Sequence, residues 1–322
     1  MLLRIGSVII VFALMMTSIS KQYYQLFLTQ GLLLGVGISF VILPAFSVIP
    51  RYFVQHRGLA MGLTVSGSSM GGVIWPIALK NLFAEVGFGW GVRIGAFIML
   101  PLLTVACFTV KLPKSANRAA GQPKPKADFS VIRQPVLILL AIGLFFVFLG
   151  LFTPFFYITA WTDFLAFNSS MAFYMISIIN SASLFGRILP GLWADTLGPY
   201  NIMIMSISFS GLICCCWTQA TTIVGIAMLS LAYGFVSGAV IGLQGPCAAA
   251  VVPPQQYGLA MGSVFGVLSI AYVPVCLIRC EPQLTVAVDS SVLQSTASFL
   301  RHSHTLVSPS SRAFQCSSEP YS

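Results

Sequence analysis

The sequence Gly58-Leu59-Ala60-Met61-Gly62 is repeated unchanged as Gly258-Leu259-Ala260-Met261-Gly262, 200 positions later. Each copy opens an apolar segment directly after a polar loop. An identical pentapeptide at equivalent points of two hydrophobic halves indicates the duplication of a membrane-embedded unit. The repeat therefore predicts two related bundles that face each other across a shared cavity.

The composition predicts that the chain is embedded in a membrane. Of the 322 residues, 57% are hydrophobic and only 7% are charged, whereas a soluble domain carries about 25% charged residues. Lipid offers the backbone no hydrogen-bond partner, so spanning segments must be helices or a closed barrel. The apolar runs are continuous over roughly 20 to 30 residues and do not alternate, which excludes a barrel. We therefore expect an all-α integral membrane protein.

Nine apolar runs set the expected organisation. They cover residues 2–19, 24–50, 59–79, 89–110, 135–160, 170–193, 202–219, 221–250 and 258–278. We expect an N-terminal half-bundle of four helices over 1–110, a basic cytoplasmic linker over 111–134, a C-terminal half-bundle of five helices over 135–278, and a Ser-rich tail, disordered or aberrant, over 279–322.

The net charge of +9 is explained by membrane topology rather than by binding to nucleic acid, because the basic residues lie in short loops. The positive-inside rule places the linker in the cytoplasm, and alternation then places the Arg51–Arg57 loop and the Arg187–Asp195 region on the same side. The partners expected from the residues are the lipid bilayer and a small-molecule substrate, and no nucleic acid.

The sequence predicts neither a bound cofactor nor an enzymatic activity. Most of the eight cysteines lie in or beside apolar spans and lack the spacing of metal ligands, so no disulfide, metal or other cofactor is expected. Residues Gly67-Ser68-Ser69-Met70-Gly71 match the pattern of a hydrolase nucleophile elbow, but that elbow requires a strand-turn-helix context and a histidine base. Here the pattern lies inside an apolar run, so a hydrolase is rejected.

The stretch Arg51–Gly62, RYFVQHRGLAMG, followed by Ser66–Gly72, SGSSMGG, resembles the second signature of the monocarboxylate porter family, most closely its fungal branch. That family belongs to the major facilitator superfamily. The resemblance covers about residues 2 to 272 and implies a major-facilitator-type bundle with about nine of the family's twelve transmembrane helices. The first two helices and the twelfth are missing, so the resemblance implies a gene product truncated at both ends.

The resemblance also implies a function. It implies a secondary transporter that moves a small organic anion, monocarboxylate-like or a related metabolite, by alternating access, with proton coupling left open. The missing helices favour the alternative, a non-transporting truncated or sensor-like membrane protein. We expect the plasma membrane as its location, with a vacuolar or other organelle membrane as the alternative.

The resemblance assigns substrate binding to the sixth apolar run. Arg187 matches the arginine that pairs with a substrate carboxylate, although it could equally be an arginine at the end of a span that pairs with Asp195 or with lipid headgroups. Ser183 stands where the family has an aspartate for proton coupling, and a serine cannot store a proton near neutral pH. Asn180 lies two turns before Arg187 on roughly the same face, and we expect it to line the cavity, the alternative being a hydrogen bond to a neighbouring helix.

The stretch Gly191-Leu192-Trp193-Ala194-Asp195-Thr196-Leu197-Gly198 resembles a cytoplasmic loop motif of the superfamily. We expect Asp195, with Gly191 and Gly198, to gate the transporter by pairing with a cation or by facing the positive end of the helix that opens at Gly258. The alternative is a turn that carries an ordinary solvated aspartate. Arg57 is a second candidate for gating, the alternative being a charge that only sets topology. The remaining candidates are glycines that form small faces for helix packing: Gly58, Gly62, Gly67 and Gly71.

Overall fold

The computed structural model describes residues 1–53, 55–110, 129–164 and 169–271. The predictions for linker residues 111–128 and for the tail lie outside the described residues. Residues Met1–Ala271 form one compact unit.

The described part of the chain consists of helices and their short connections and contains no strand, which confirms the expected all-α fold. Short 3-10 turns cover Phe129–Arg133 and Trp217–Gln219. The helices are α1 Leu2–Ile19, α2 Tyr23–Tyr52, α3 Arg57–Thr109, α4 Pro135–Leu151, α5 Thr153–Phe164, α6 Ser169–Leu197, α7 Pro199–Cys215, α8 Ile223–Val251 and α9 Tyr257–Ala271.

Helix α3 accounts for two of the predicted apolar runs. A straight helix of its 53 residues would be about 80 Å long, whereas the hydrocarbon core of a bilayer is about 30 Å thick. The helix is interrupted at Gly87, whose φ of 77° and ψ of 169° are not helical. Only glycine adopts this conformation readily. The break divides α3 into two halves, 57–86 and 88–109, each long enough for one crossing.

The lengths of the other helices also agree with a membrane bundle. Among the described residues, six helices are long and apolar enough to cross a bilayer, α3 being one of them, and α7 and α9 are shorter apolar helices. The chain is therefore an integral membrane protein. Helix α2 contains a π-helical stretch at Phe27–Leu33, a feature that frequently marks functional sites.

Helix α6 lies between α3 and α8 and forms extensive contacts with both. On the α8 side the approach is close because the contact residues are glycines: a Cβ atom added to Gly238 would lie 2.5 Å from the Ser183 carbonyl oxygen. A Cβ atom on Gly234 would meet the Ile179 carbonyl oxygen. The glycines at these positions allow the backbones of α6 and α8 to pack closely.

The two copies of the repeated pentapeptide lie at the same end of the bundle. Arg51, near the end of α2, donates from Nε to the Pro254 carbonyl oxygen at 3.3 Å, just before the second copy. Met61 and Met261, the same residue of each copy, are both 0% exposed and share one apolar cluster. Tyr257, the first residue of α9, belongs to the same cluster. The duplicated segments therefore begin two helices, α3 and α9, that pack together.

Candidate functional site

A polar seam joins the first half of α3 to the C-terminal part of α6. Its positions recur every three or four residues, so they form facing stripes on the two helices. The seam consists of Gly58, Gly62, Val65, Ser68, Ser69 and Gly72 on α3, and of Asn180, Ser183, Arg187, Gly191 and Asp195 on α6.

Glycines allow the two backbones of the seam to touch. A Cβ atom added to Gly58 would lie 2.5 Å from the Gly191 carbonyl oxygen, and one added to Gly191 would lie 2.8 Å from that of Gly58. A Cβ atom on Gly62 would collide with the Arg187 carbonyl oxygen. The structure thus places Gly58, Gly62 and Gly191 at the closest approach of α3 and α6, where any side chain would force the helices apart.

Gly67 and Gly71, the other two glycines expected to pack helices, lie outside this contact. A Cβ atom on Gly67 would meet no described atom within 4 Å, and one on Gly71 would meet only Trp75 of its own helix. The reason is helical phase: Gly67 follows Gly58 by nine residues, about two and a half turns, so it points to the opposite side of α3. Gly72 takes their place in the seam, against Asn180.

The Asp195 carboxylate closes one end of the seam. Its two oxygens accept the backbone N–H groups of Gly58 at 2.7 Å and of Leu59 at 3.0 Å. These amides belong to the first turn of α3, where N–H groups have no partner within the helix and the helix dipole is positive. The sequence led us to expect either a nearby cation or the helix that opens at Gly258 as the partner of Asp195. The acid instead caps the other copy of the repeat, because the Gly58–Gly191 contact brings α6 against α3.

The Arg187 guanidinium lies in the middle of the seam. The residue is only 7% exposed. Its Nη1 atom donates to the Val65 carbonyl oxygen at 2.7 Å and to the Ser68 hydroxyl, and its Nε atom is buried without a hydrogen-bond partner. Glu85 and Asp195 are the acidic side chains that the structure describes, and neither forms an ion pair with it. A buried cation with only neutral acceptors is costly and favours the arrival of an anion.

Asn180 and Ser183 lie on the same stripe of α6 as Arg187. The Asn180 Nδ2 atom donates to the Ile176 carbonyl oxygen at 3.0 Å, and its Oδ1 atom would lie 2.6 Å from a Cβ atom on Gly72. Ser183 is 0% exposed, and its hydroxyl accepts that of Ser69 at 3.4 Å. The structure therefore brings the three residues predicted to bind substrate together, facing α3.

Arg57 and Gly198 have local roles at the same end of the bundle as Asp195. The Arg57 Nη1 atom donates to the Ala249 carbonyl oxygen of α8 at 3.4 Å, and its Nε atom is buried without a partner. Gly198 has a φ of 91° and separates α6 from α7. Arg57 thus connects the start of α3 to the end of α8, while Gly198 provides the turn that follows the acid.

A cavity of about 370 Å³ lies between α1, α2 and both halves of α3. Its polar lining groups are Thr17 and Gln30, and Gln30 belongs to the π-helical stretch of α2. A Cβ atom on Gly95 would lie 3.3 Å from the Trp75 indole, so this glycine makes room for the ring. The remaining lining residues are apolar or aromatic: Leu14, Trp75, Leu79, Phe83, Phe88, Val92, Gly95 and Met99.

Sequence reasoning missed the α3 side of this site. Ser68, Ser69 and the Val65 carbonyl group were not identified, although Ser68 and Ser69 lie between the glycines that drew attention. A signal was present, because small and polar residues recur at 62, 66, 69 and 72 along one helical face. The cavity around Trp75 had no signal in the linear sequence, because its lining comes from three helices.

A comparison with known families identifies the scaffold. The sequence model described as "Major Facilitator Superfamily" matches residues 1–274. Over 271 residues the chain is 60% identical to the agnestins efflux protein AgnL12 of Paecilomyces divaricatus, covering 84% of this chain and 62% of that protein.

Two further relatives are similar over a comparable length of the chain. An MFS-type transporter of Aspergillus fumigatus is 40% identical over 287 residues, which are 84% of this chain and 66% of that protein. The aspyridones efflux protein apdF of Emericella nidulans is 37% identical over 270 residues, which are 82% of this chain and 54% of that protein. The matched part of the chain spans less than two thirds of the length of each of these relatives.

Proposed function

The chain belongs to the Major Facilitator Superfamily, and we propose that it acts as a secondary transporter of a small organic anion by alternating access rather than as an enzyme. One observation carries the choice of an anion: Arg187 is buried, its Nε atom lacks a partner, and its two hydrogen bonds go to neutral oxygens. An arginine stays charged and can hold a carboxylate through two parallel hydrogen bonds.

Within the superfamily, we assign the chain to the fungal branch of the monocarboxylate porters. The Arg51–Gly62 and Ser66–Gly72 stretches support this assignment. Two relatives carry the word efflux in their names, which favours export of a metabolite. We place the protein in the plasma membrane, with a vacuolar or other organelle membrane as the alternative.

The proposed cycle opens and closes the polar seam. The half-bundles 1–110 and 135–278 rock against each other about the cavity between them. In the closed seam Asp195 caps α3 at Gly58, while Gly191 allows the contact and Arg57 holds the neighbouring end of α8. In the open seam these contacts are broken. Gly198, in the turn between α6 and α7, then accommodates the movement of α6.

Substrate binding is assigned to Arg187, with Ser183 and Asn180 lining the site one and two turns away, respectively. Ser183 supplies a hydroxyl and no carboxylate, and the described part of the seam contains no acid besides Asp195 at its end. Facilitated diffusion, driven by the substrate gradient alone, is therefore the expected mode of transport. A proton-coupled mode would need an acid outside this part of the seam.

The test is uptake of labelled carboxylates by cells that express the chain, compared with Arg187→Gln and Arg187→Lys. We expect Arg187→Gln to lower uptake at least tenfold at equal amounts of protein in the membrane, and Arg187→Lys to retain part of it. Arg93→Gln is the matched control, because Arg93 is also in a span but bonds Ser18 and lies over Trp90, away from the seam.

The result also separates the transporter from a non-transporting, sensor-like protein. Uptake above that of control cells supports transport. Binding of carboxylates without uptake supports the sensor-like alternative. Equal uptake by the wild type and Arg187→Gln would contradict the assignment of the anion site to Arg187.

A further inference from the structure

We infer that Arg187 regulates the opening of the seam as well as holding the anion. Without an anion, its guanidinium ties α6 to α3 through the Val65 carbonyl oxygen and the Ser68 hydroxyl, and a carboxylate that binds the guanidinium releases this tie. Ser68 is then a positioning residue that competes with the substrate. This inference rests on the proposed function, because it uses the same arginine, and it adds the way in which binding leads to opening.

The tie joins the two halves of the chain. Arg187 belongs to α6, in the C-terminal half, whereas Val65 and Ser68 belong to the first half of α3, in the N-terminal half. The Nη1 atom of the guanidinium donates to both oxygens, across 122 and 119 positions of the sequence. These hydrogen bonds therefore cross the interface along which the halves must separate during alternating access.

The tie and the anion use the same hydrogen atoms. A guanidinium Nη1 atom carries two of them, and the bonds to Val65 and Ser68 engage both. Arg187 is also only 7% exposed, so the closed seam shields its charge from the surroundings. An anion can therefore bind through Nη1 only when the bonds to α3 are broken.

The exchange favours a carboxylate over the two oxygens of α3. Both of those oxygens are neutral, and the Nε atom of Arg187 is buried without a hydrogen-bond partner. A carboxylate adds the attraction of opposite charges and can accept from two guanidinium nitrogens at once. A ligand that binds only the open seam shifts the equilibrium toward opening. Binding of the anion therefore offsets the loss of the tie.

Ser68 is the part of the tie that can be removed with the least disturbance of the fold. The residue is exposed, and its hydroxyl also donates to the Val65 carbonyl oxygen of its own helix at 3.0 Å. Alanine is a good helix former, so Ser68→Ala deletes one acceptor and leaves Arg187 in place. If the hydroxyl competes with the substrate, its removal improves binding, whereas removal of a group that contacts the substrate weakens it.

The first measurement needs no ligand. Ser69→Cys, in the full chain in lipid nanodiscs, reports opening of the seam because Ser69 is 0% exposed. Labelling by a thiol reagent is read by mass spectrometry of the tryptic peptide 58–80, which has no native cysteine. Each rate is divided by that of the same variant unfolded in SDS, which removes differences in thiol reactivity. We expect Ser68→Ala and Arg187→Gln each to speed labelling about five- to tenfold, because a hydrogen bond to a charged group is lost.

The second measurement uses benzoate as the anion. We expect Ser68→Ala to bind benzoate about five- to tenfold more tightly than the wild type, and Ser68→Thr, which keeps the hydroxyl, to bind it as the wild type does. Benzoate should speed labelling at position 69 in the presence of Arg187 and have no effect on it in Arg187→Gln. Thr64→Val is the matched control, because Thr64 is exposed one turn before Ser68 and its hydroxyl bonds the Ala60 carbonyl oxygen of its own helix.

The outcomes distinguish this inference from the proposed function. Unchanged labelling or unchanged affinity in Ser68→Ala would overturn the tie, and so would weaker binding of benzoate by that variant. In each of these cases, loss of benzoate binding in Arg187→Gln leaves the proposed function standing. If neither the wild type nor Ser68→Ala binds benzoate, the anion site fails, and with it both the inference and the proposed anion transport. Faster labelling without ligand together with tighter binding in Ser68→Ala supports the tie.

Discussion

The Asp195 carboxylate accepts the Gly58 backbone N–H at 2.7 Å, across 137 positions of the sequence. This bond joins the end of α6 to the start of α3, and a second bond from the same carboxylate reaches the next amide, that of Leu59. Because the contact involves a backbone group on one side, it depends on the fold of α3, on the Asp195 carboxylate and on the absence of side chains at Gly58 and Gly191.

Asp195→Ala is expected to weaken the closed seam. Loss of an N-terminal cap costs about 1 to 2 kcal/mol, and loss of a favourable charge at the helix dipole adds to this. We expect a lower thermal midpoint in detergent. We also expect faster labelling of Ser69→Cys, a position buried in the seam, by a membrane-impermeant thiol reagent. Asp195→Asn is the matched variant, and since its amide oxygen can still accept one N–H, its effects should be smaller. Unchanged labelling in Asp195→Ala would contradict the role of the cap in closing the seam.

Gly62→Ala is expected to destabilise the protein by about 2 kcal/mol or more, because the added methyl group overlaps the Arg187 carbonyl oxygen and overpacking costs about 1 to 3 kcal/mol. Gly67→Ala is the control on the same helix. Its methyl group meets no described atom, and alanine favours a helix by up to about 1 kcal/mol over glycine. Unfolding of the two variants in detergent or denaturant checks the difference. Equal stability of both would show that α3 and α6 do not pack through Gly62.

Ser183→Asp is expected to make transport depend on pH. The new carboxylate would lie one turn before Arg187 on the same stripe and compete with the substrate for the guanidinium. Protonation of the new carboxyl group removes this competition, so uptake should rise as the external pH falls. Ser183→Asn has nearly the same shape and no charge, and its uptake should follow the pH dependence of the wild type. If the two variants share one pH profile, Ser183 does not face the arginine during transport.

Gly87→Ala is expected to destabilise the break in α3. A side chain in this backbone region costs about 1 to 3 kcal/mol, and no described atom within 4 Å would offset the cost. Gly143→Ala, in the middle of α4 and also without a close neighbour, is the control and should be neutral or slightly stabilising. The thermal midpoints of the two variants provide the test. A Gly87→Ala protein with the thermal midpoint of the wild type would mean that the interruption of α3 does not depend on Gly87.

The sequence was sufficient for the fold because the fold depends on composition and repetition. Runs of apolar residues located the helices, and the duplicated pentapeptide anticipated that α3 and α9 begin at one end. The break at Gly87 was anticipated only as a gap between two runs. Only the α6 side of the site was predicted, because spacing and resemblance identified the stripe of Asn180, Ser183 and Arg187. On the α3 side, the Val65 carbonyl group is a backbone acceptor and has no sequence signature.

Asp195 shows why the remaining details required coordinates. The sequence contains two identical helix starts, and both are chemically suited to receive a carboxylate. Only the close approach of Gly58 and Gly191 decides between them. That approach is a property of how α6 packs, which residue spacing within one helix does not contain.

The shared cluster of Met61 and Met261 has an evolutionary consequence. Duplicated segments usually become independent of each other, and each then accumulates substitutions on its own. Here the same residue of both copies is packed against common neighbours, so a change of volume in one copy alters the fit of the other. Residues in contact have non-additive effects on stability, and we therefore expect paired substitutions at these two methionines to be tolerated where either single substitution is not.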